Sequence, residues 1–180
     1  MVYDKGQSKI KPVVFEVLNN FHTTKKQESD FKLESTTNQI RVIEALEGQL
    51  VTNELIENAT IVDGNLVSNT DNDILKMTVV NRYQDQKPAV AFIKNFGLKE
   101  GAIASSVGHD SHNIIAVGVS DKAICAAVNL LVENKGGICA ISNSESKVVS
   151  LPVAGIMSDR DGKTIGRQYA ELDKMAKMNK

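Results

Sequence analysis

The chain has 180 residues, of which 42% are apolar and 24% charged, and its formal net charge is −1 at pH 7. This balance is that of a globular protein with room for one domain, and the charge excludes a general electrostatic attraction to nucleic acid or anionic membranes. No apolar run approaches the roughly 20 residues that span a bilayer, and the N-terminus lacks the order of a signal peptide. We therefore expect a cytoplasmic protein that binds neither nucleic acid nor membrane.

The two cysteines, Cys125 and Cys139, form no C-x-x-C pair and lie in apolar segments. Such thiols are typical of the core of a protein from a reducing compartment. The sequence therefore predicts reduced cysteines rather than a disulfide or a metal-binding pair.

The first third of the chain carries weak signals. Residues 1–37 are predicted to be peripheral, with one strand at 13–18 and then a polar stretch at 19–30. Alternating apolar residues predict a strand at 40–46. Residues 50–67 favour a weak strand pair, with Asp63-Gly64-Asn65 as its turn, because these residues tolerate positive φ.

The remainder is more regular, and apolar β-branched runs predict strands at 73–83, 89–94, 102–107 and 114–119. The apolar period then changes to that of a helix at 121–133, with Ser120 as its N-cap and glycines 136 and 137 ending it. Two more strands, at 138–142 and 147–151, precede a last helix, for which Ser158 and Asp161 have the spacing of a capping box. This order predicts an α+β fold, a mixed or antiparallel sheet with helices on one face.

The most informative segment is Ala104 to Ile114, in which a polar loop, Gly108 to Asn113, lies between two apolar strands; we call this loop the histidine loop. It holds two of the three histidines in the chain. His109, Asp110 and His112 are possible ligands of a divalent metal, or acid–base and hydrogen-bonding groups. Alternatively, Asp110 and Asn113 shape the turn while the histidines pack or face water. Three local donors are too few for a complete metal site.

Other polar segments have structural interpretations. Lys135-Gly136-Gly137 resembles a phosphate-cradling loop, but it follows a helix, whose negative end repels anions, and a helix cap is the better interpretation. Asp159, Arg160 and Asp161 are interpreted as capping and surface charge. His22 lies in a polar stretch and is expected to face solvent.

Several of these segments together resemble a known family. GLKEGAIASSV at 97–107, followed by HDSHNI at 109–114, is similar to the signature of the C-terminal domain of adenine deaminases, in the amidohydrolase superfamily. Further segments match the family in order and spacing, namely residues 41–44, 48–52, 73–76, 80–82, 133–137 and 151–159.

The resemblance implies a function for the parent protein. Family members are metal-dependent hydrolases of purine salvage and catabolism that convert adenine and water to hypoxanthine and ammonia, using manganese or iron held in an N-terminal barrel. It also implies a homo-oligomer. Within this chain, the candidate active-site residues that would reach the mouth of that barrel are Ser106, His109, Asp110, Ser111, His112 and Asn113.

The chain itself lacks the ligands of such a site. The family's barrel uses a His-x-His pair and two further histidines, whereas this sequence has three histidines and no such pair. It is also too short for a barrel of about 200 residues or more. We therefore predict a C-terminal domain at 38–180, inactive alone, with residues 1–37 following the absent barrel.

Two departures from the family bear on this prediction. Gly108 stands where the family more often has alanine, and the family continues past Lys180 with an apolar segment, so the domain is expected to be truncated there. If that segment forms a strand, its absence leaves an exposed sheet edge.

Two other functions remain open. A non-catalytic module for oligomerisation or stabilisation of the barrel predicts a broad uncovered apolar face. A free-standing purine- or metal-binding protein predicts ligand binding by this chain alone.

Overall fold

The structure, a computed structural model, describes residues 3–5, 7–10 and 18–180. The strand predicted at 13–18 lies outside these ranges except for Leu18. A short 3₁₀ helix spans Glu28–Phe31. The strands and helices run in chain order: β1 (Tyr3–Asp4), β2 (Gln7–Ser8), β3 (Gln39–Ala45), β4 (Thr52–Asn58), β5 (Thr60–Val62), β6 (Asn65–Val67), β7 (Ile74–Val80), β8 (Ala89–Lys94), β9 (Ala102–Ser105), β10 (Ile114–Gly118), α1 (Asp121–Glu133), β11 (Gly137–Ile141), β12 (Ser146–Ser150) and α2 (Gly162–Met178).

Eight of these strands form one sheet, in the order β12-β11-β9-β10-β7-β8-β3-β4. Neighbouring strands are antiparallel except for β3 and β8, which are parallel. The hairpins β1–β2 and β5–β6 are separate. The α+β class and the mixed sheet are therefore confirmed. None of the helices in the described ranges is both long and apolar enough to traverse a bilayer.

Local signals place several elements at their predicted bounds. Strand β8 and helix α1 begin and end where the sequence indicates, and the Ser120 hydroxyl accepts a hydrogen bond from the Ala123 N–H at 3.2 Å. The β5–β6 turn places Asp63 and Gly64 at φ of 48° and 76°. Two consecutive left-handed residues suit the twist of a two-residue hairpin.

The start of α2 differs from the prediction. Its N-cap is Asp161, whose carboxylate accepts hydrogen bonds from the Thr164 N–H at 3.0 Å and the Thr164 hydroxyl at 2.6 Å. Ser158 lies one turn earlier, where its hydroxyl accepts from the Arg160 N–H at 3.1 Å. The predicted capping box is therefore wrong, because the N-cap belongs to the residue whose side chain reaches a free N–H of the first turn.

The expectation that the helices cover one face needs correction, because α1 and α2 lie on opposite faces. Consecutive residues of a strand point to opposite faces. On β9, Ala104 packs in one cluster with residues of α1 such as Ile124, whereas Ile103 packs in another with Leu172 and Met175 of α2. Strands β9 and β11 are apolar on both faces, and burying both faces requires cover on both sides.

The face under α1 is covered along its length. Phe21 and Phe31, from the segment predicted to be peripheral, are 4% and 0% exposed and pack into the cluster that contains α1. The β5–β6 hairpin covers the other half of this face, where Leu66 packs with Val42 and Phe92. The face under α2 is covered less completely.

Candidate functional site

The histidine loop joins β9 to β10 at one end of the sheet. The side chains of His109 and Asp110 are 95% and 88% exposed, and His109 Nδ1 lies 2.9 Å from an Asp110 carboxylate oxygen. His112 is half-buried, and its Nδ1 is buried with no hydrogen-bond partner among the described residues. The loop thus presents an imidazole–carboxylate pair to solvent and keeps a second imidazole against the protein.

Two residues of the loop have a left-handed backbone. Asp110 and His112 have φ of 66° and 51°, a region that costs most non-glycine residues roughly 1–2 kcal/mol and that Asp and His adopt more readily than most. Within the loop, the Ser111 N–H donates to the His109 carbonyl and the His112 N–H to the Gly108 carbonyl, both at 2.9 Å. Such backbone conformations persist only where neighbouring structure holds them, and they cluster at functional sites.

The end of β7 supplies that support. The Tyr83 hydroxyl donates to the Ser111 carbonyl at 3.0 Å, and the Asn113 side-chain oxygen accepts from the Arg82 N–H at 3.3 Å. The guanidinium of Arg82 donates to the Tyr83 hydroxyl at 3.0 Å and to the Ala154 carbonyl at 2.6 Å. Arg82 is 4% exposed. It therefore ties the histidine loop to the segment that precedes α2.

Ser106 lies beneath the loop and is fully buried. Its hydroxyl donates to the Gly155 carbonyl at 2.6 Å and accepts from the Gly137 N–H at 2.8 Å. A Cβ at Gly155 would lie 1.9 Å from Arg82 Nη1, and one at Gly136 would lie 2.5 Å from the Gly155 Cα. Only glycine allows these segments to approach so closely.

The glycines after α1 end that helix. The Gly136 N–H donates to the Leu131 carbonyl at 3.0 Å, and Lys135 has φ of 55°. A left-handed residue with such a hydrogen bond is a common helix terminus. The interpretation of residues 135–137 as a helix cap is therefore confirmed.

The structure separates the candidate residues by environment. His109 and Asp110 are presented together to solvent, Ser111 and Asn113 bond to residues at the end of β7, and Ser106 joins segments beneath. Among the described residues, no three His, Cys, Asp or Glu side chains come together in a group that could hold a metal ion.

Sequence reasoning missed the support that Arg82 and Tyr83 give the loop. The available signal was a charged residue and an aromatic residue directly after an apolar strand. The Arg82–Ala154 hydrogen bond joins residues 72 positions apart, so no local pattern revealed its partner.

Comparison with known proteins gives one family. The profile of the "Adenine deaminase C-terminal domain" matches residues 49–180, which include the histidine loop. A protein named adenine deaminase from Sulfurovum sp. (strain NBC37-1) is 52% identical over 168 residues, covering 93% of this chain and 30% of the relative. An adenine deaminase from Borreliella afzelii (strain PKo) is 40% identical over 179 residues, covering 98% of this chain and 32% of the relative.

A third relative, from Methanosarcina acetivorans, shows the same partial coverage. This protein, also named adenine deaminase, is 51% identical over 139 residues, covering 77% of this chain and 25% of the relative. The chain thus spans about a third or less of the length of these relatives.

Proposed function

The chain belongs to the family of adenine deaminase C-terminal domains, and from that premise we propose that it acts as this domain within a metal-dependent adenine deaminase. The reaction is the hydrolysis of adenine to hypoxanthine and ammonia, in cytoplasmic purine salvage and catabolism. The names of the relatives and the match over residues 49–180 support this assignment. Since the chain spans 30% of the Sulfurovum relative, the activity is proposed for the longer protein.

The metal of this proposal, manganese or iron, does not fit the described residues of the chain. His109 and Asp110 lie together, but no third His, Cys, Asp or Glu among the described residues completes a group that could hold an ion. We therefore assign the metal ligands to the N-terminal part of the longer protein and expect this chain to be inactive alone.

The histidine loop is the part of this chain that we assign to the active site. The observation that carries this role is an exposed imidazole–carboxylate pair on a braced loop with left-handed residues. With Nδ1 of His109 turned toward Asp110, its Nε2 is free to hydrogen-bond a ligand. Deamination must also protonate a leaving amino group, and an imidazole is able to hold or deliver a proton near neutral pH.

The test uses a fusion in which this chain replaces the C-terminal 30% or so of the Sulfurovum enzyme, which is 52% identical to it. We refer to this protein as the fusion enzyme. His109→Ala is expected to lower kcat/KM for adenine by about 10²-fold, the lower range for loss of a general acid or base, and His112→Ala tests the second imidazole of the loop in the same assay. His22→Ala is the control, because His22 is also exposed but lies outside the loop. Unchanged kinetics and metal content in both loop variants would remove the proposed role.

A second candidate function is a non-catalytic module that stabilises the rest of the enzyme. An incompletely covered apolar sheet face favours it. In that case both histidine variants keep full activity, whereas removing the domain lowers the thermal stability of the remainder.

A further inference from the structure

The face of the sheet under α2 has an uncovered part. Helix α2 packs on β11 and β12, and Leu98 and Phe96 pack over Leu75, Ile93 and Val117 at the centre. A row of apolar side chains on β10, β7, β8, β3 and β4 borders this central cluster, and we call it the apolar strip; Met77 and Ile43 of this row pack against the cluster. Its members are Ile115, Val79, Met77, Ala91, Ile43 and Ile56.

The strand register places these side chains on one face. Ile115 is paired with Val79 across β10 and β7, and Met77 is paired with Ala91 across β7 and β8. Cross-strand partners point to the same side of a sheet. Ile56 is 56% exposed, Ala91 is exposed, and the other members are half-buried. Apolar side chains thus continue across five strands, and among the described residues the helix on this face, α2, packs on β11 and β12.

The strip ends at the histidine loop. Ile115 Cδ1 lies 3.1 Å from where a Cβ of Gly108 would stand, so the start of the loop rests on this side chain. Val107, next to it, is 46% exposed. A partner that covers the strip therefore also contacts the loop.

A cleft opens beside the strip, where β3 and β8 separate. These strands pair only over residues 42–44 and 92–94. The cleft, of about 620 Å³, is lined from both faces of the sheet, by Ile43 and Ala91 on the side of the strip and by Val42, Leu66 and Phe92 on the side of the β5–β6 hairpin. At the far end of the strip, Arg41 forms an exposed ion pair with Glu54. An apolar centre with a polar rim is the usual anatomy of a protein interface.

We propose that the apolar strip is the docking surface for the N-terminal part of the longer polypeptide, an inference that rests on the proposed function. The relatives carry about 70% of their length outside the region matched by this chain, and that length needs a surface on which to pack. The strip adjoins the histidine loop. Docking of the N-terminal part on the strip therefore places His109 near the active site that we assign to that part. A second copy of this chain is the competing occupant.

The test compares thiol labelling of one strip residue in the isolated chain and in the fusion enzyme. Ala91→Cys places a thiol at the centre of the strip, and Ala170→Cys places a control thiol on the exposed side of α2, away in sequence from the native cysteines. Labelling by a maleimide is quantified by mass spectrometry on the peptide that contains each position. The proposal predicts that Ala91→Cys labels at least about tenfold more slowly in the fusion enzyme, because interface cores exclude solvent, while the control labels equally in both.

Two outcomes overturn the proposal. Equal labelling of Ala91→Cys in both proteins means that nothing docks on the strip. Protection already present in the isolated chain, with the mass of a dimer in solution, means that a second copy covers it. Kinetics of the same fusion enzyme distinguish these failures from failure of the proposed function. If Ala91→Cys labels freely while His109→Ala lowers activity, the docking proposal is wrong and the proposed catalytic role stands. If Ala91→Cys is protected while the histidine variants keep full activity, the catalytic role is wrong and the docking proposal stands.

Discussion

Arg82 is the residue that links the histidine loop to the rest of the fold. Its backbone carbonyl accepts from the N–H groups of His22 and Thr23 at 2.7 and 3.1 Å, while its guanidinium bonds to Tyr83 and Ala154. The guanidinium also lies 4.7 Å from the centre of the Tyr83 ring, a cation–π distance. Backbone, side chain and ring therefore all contribute to holding one loop conformation.

Substitution of Gly155 by alanine adds one methyl group next to Arg82 and tests how closely the two segments pack. Gly155→Ala is expected to destabilise the chain by about 2–4 kcal/mol, because the new Cβ clashes with a buried side chain and the left-handed backbone disfavours alanine. The clash would be with Arg82 Nη1, at 1.9 Å, and φ of Gly155 is 73°. Urea denaturation measures the change.

Gly166→Ala is the matched control for this substitution. Nothing lies within 4 Å of its added Cβ, in helix α2. Alanine there should stabilise the chain by roughly 0.5–1 kcal/mol through helix propensity. Equal effects at the two glycines would contradict the close packing described at Gly155.

Cys139 predicts a pH dependence of stability. Burial raises the pKa of its thiol from 9.0 to about 12. Below pH 9 the thiol is protonated in both states, but above pH 9 only the unfolded chain loses the proton, so the free energy of unfolding falls as pH rises from 9 toward 12. Between pH 8 and pH 10.5, the free energy of unfolding measured by urea denaturation should fall more in the unsubstituted chain than in Cys139→Ala. Equal losses would mean that the thiol ionises freely in the folded protein.

At the scale of elements, α1 is anchored to the sheet by a buried ion pair. Lys76 of β7 donates to an Asp121 carboxylate oxygen at 2.7 Å, and their side chains are 1% and 14% exposed. The Lys76 ammonium also donates to the Phe31 carbonyl at 3.2 Å. One lysine thus connects the sheet, the first turn of α1 and the N-terminal segment.

The two partners of this pair should not be equivalent. Asp121→Asn leaves a buried ammonium without a counter-charge and is expected to cost about 3–5 kcal/mol. Lys76→Met should cost less, because Asp121 remains partly solvated and lies at the positive end of the α1 dipole. Thermal and urea denaturation give the loss in free energy of unfolding for each variant. A larger loss for Lys76→Met than for Asp121→Asn would refute this account of the pair.

Some elements were predictable because their signals are local. Ser120 and Gly136 define the ends of α1, and Asp63-Gly64 defines a hairpin turn, through hydrogen bonds and φ values that depend on neighbouring residues. The start of α2 was missed because Ser158 and Asp161 are both capping residues and only the folded chain selects between them. The prediction that both helices cover one face was wrong because consecutive residues at 138–141 are apolar. A strand that is apolar on both faces must be covered on both sides of the sheet.

At the scale of the whole molecule, some features of the candidate site follow from local sequence and others depend on contacts between distant segments. The histidine loop was found from sequence because it concentrates histidines between two apolar strands. Its left-handed residues, its exposed His109–Asp110 pair and its support from Arg82 and Gly155 arise from contacts between distant segments. The proposal places the chain as a domain that holds one loop rigidly and offers one apolar face to a partner.

The measurement that tests the central claim most directly is ammonia release from adenine by the purified 180-residue chain and by the fusion enzyme, each with manganese or iron added. The account predicts turnover by the fusion enzyme and none by the chain alone, because the chemistry requires ligands that the described residues do not bring together. Turnover by the chain alone that disappears with His109→Ala or His112→Ala would contradict it, and would mean that the histidine loop builds an active site of its own.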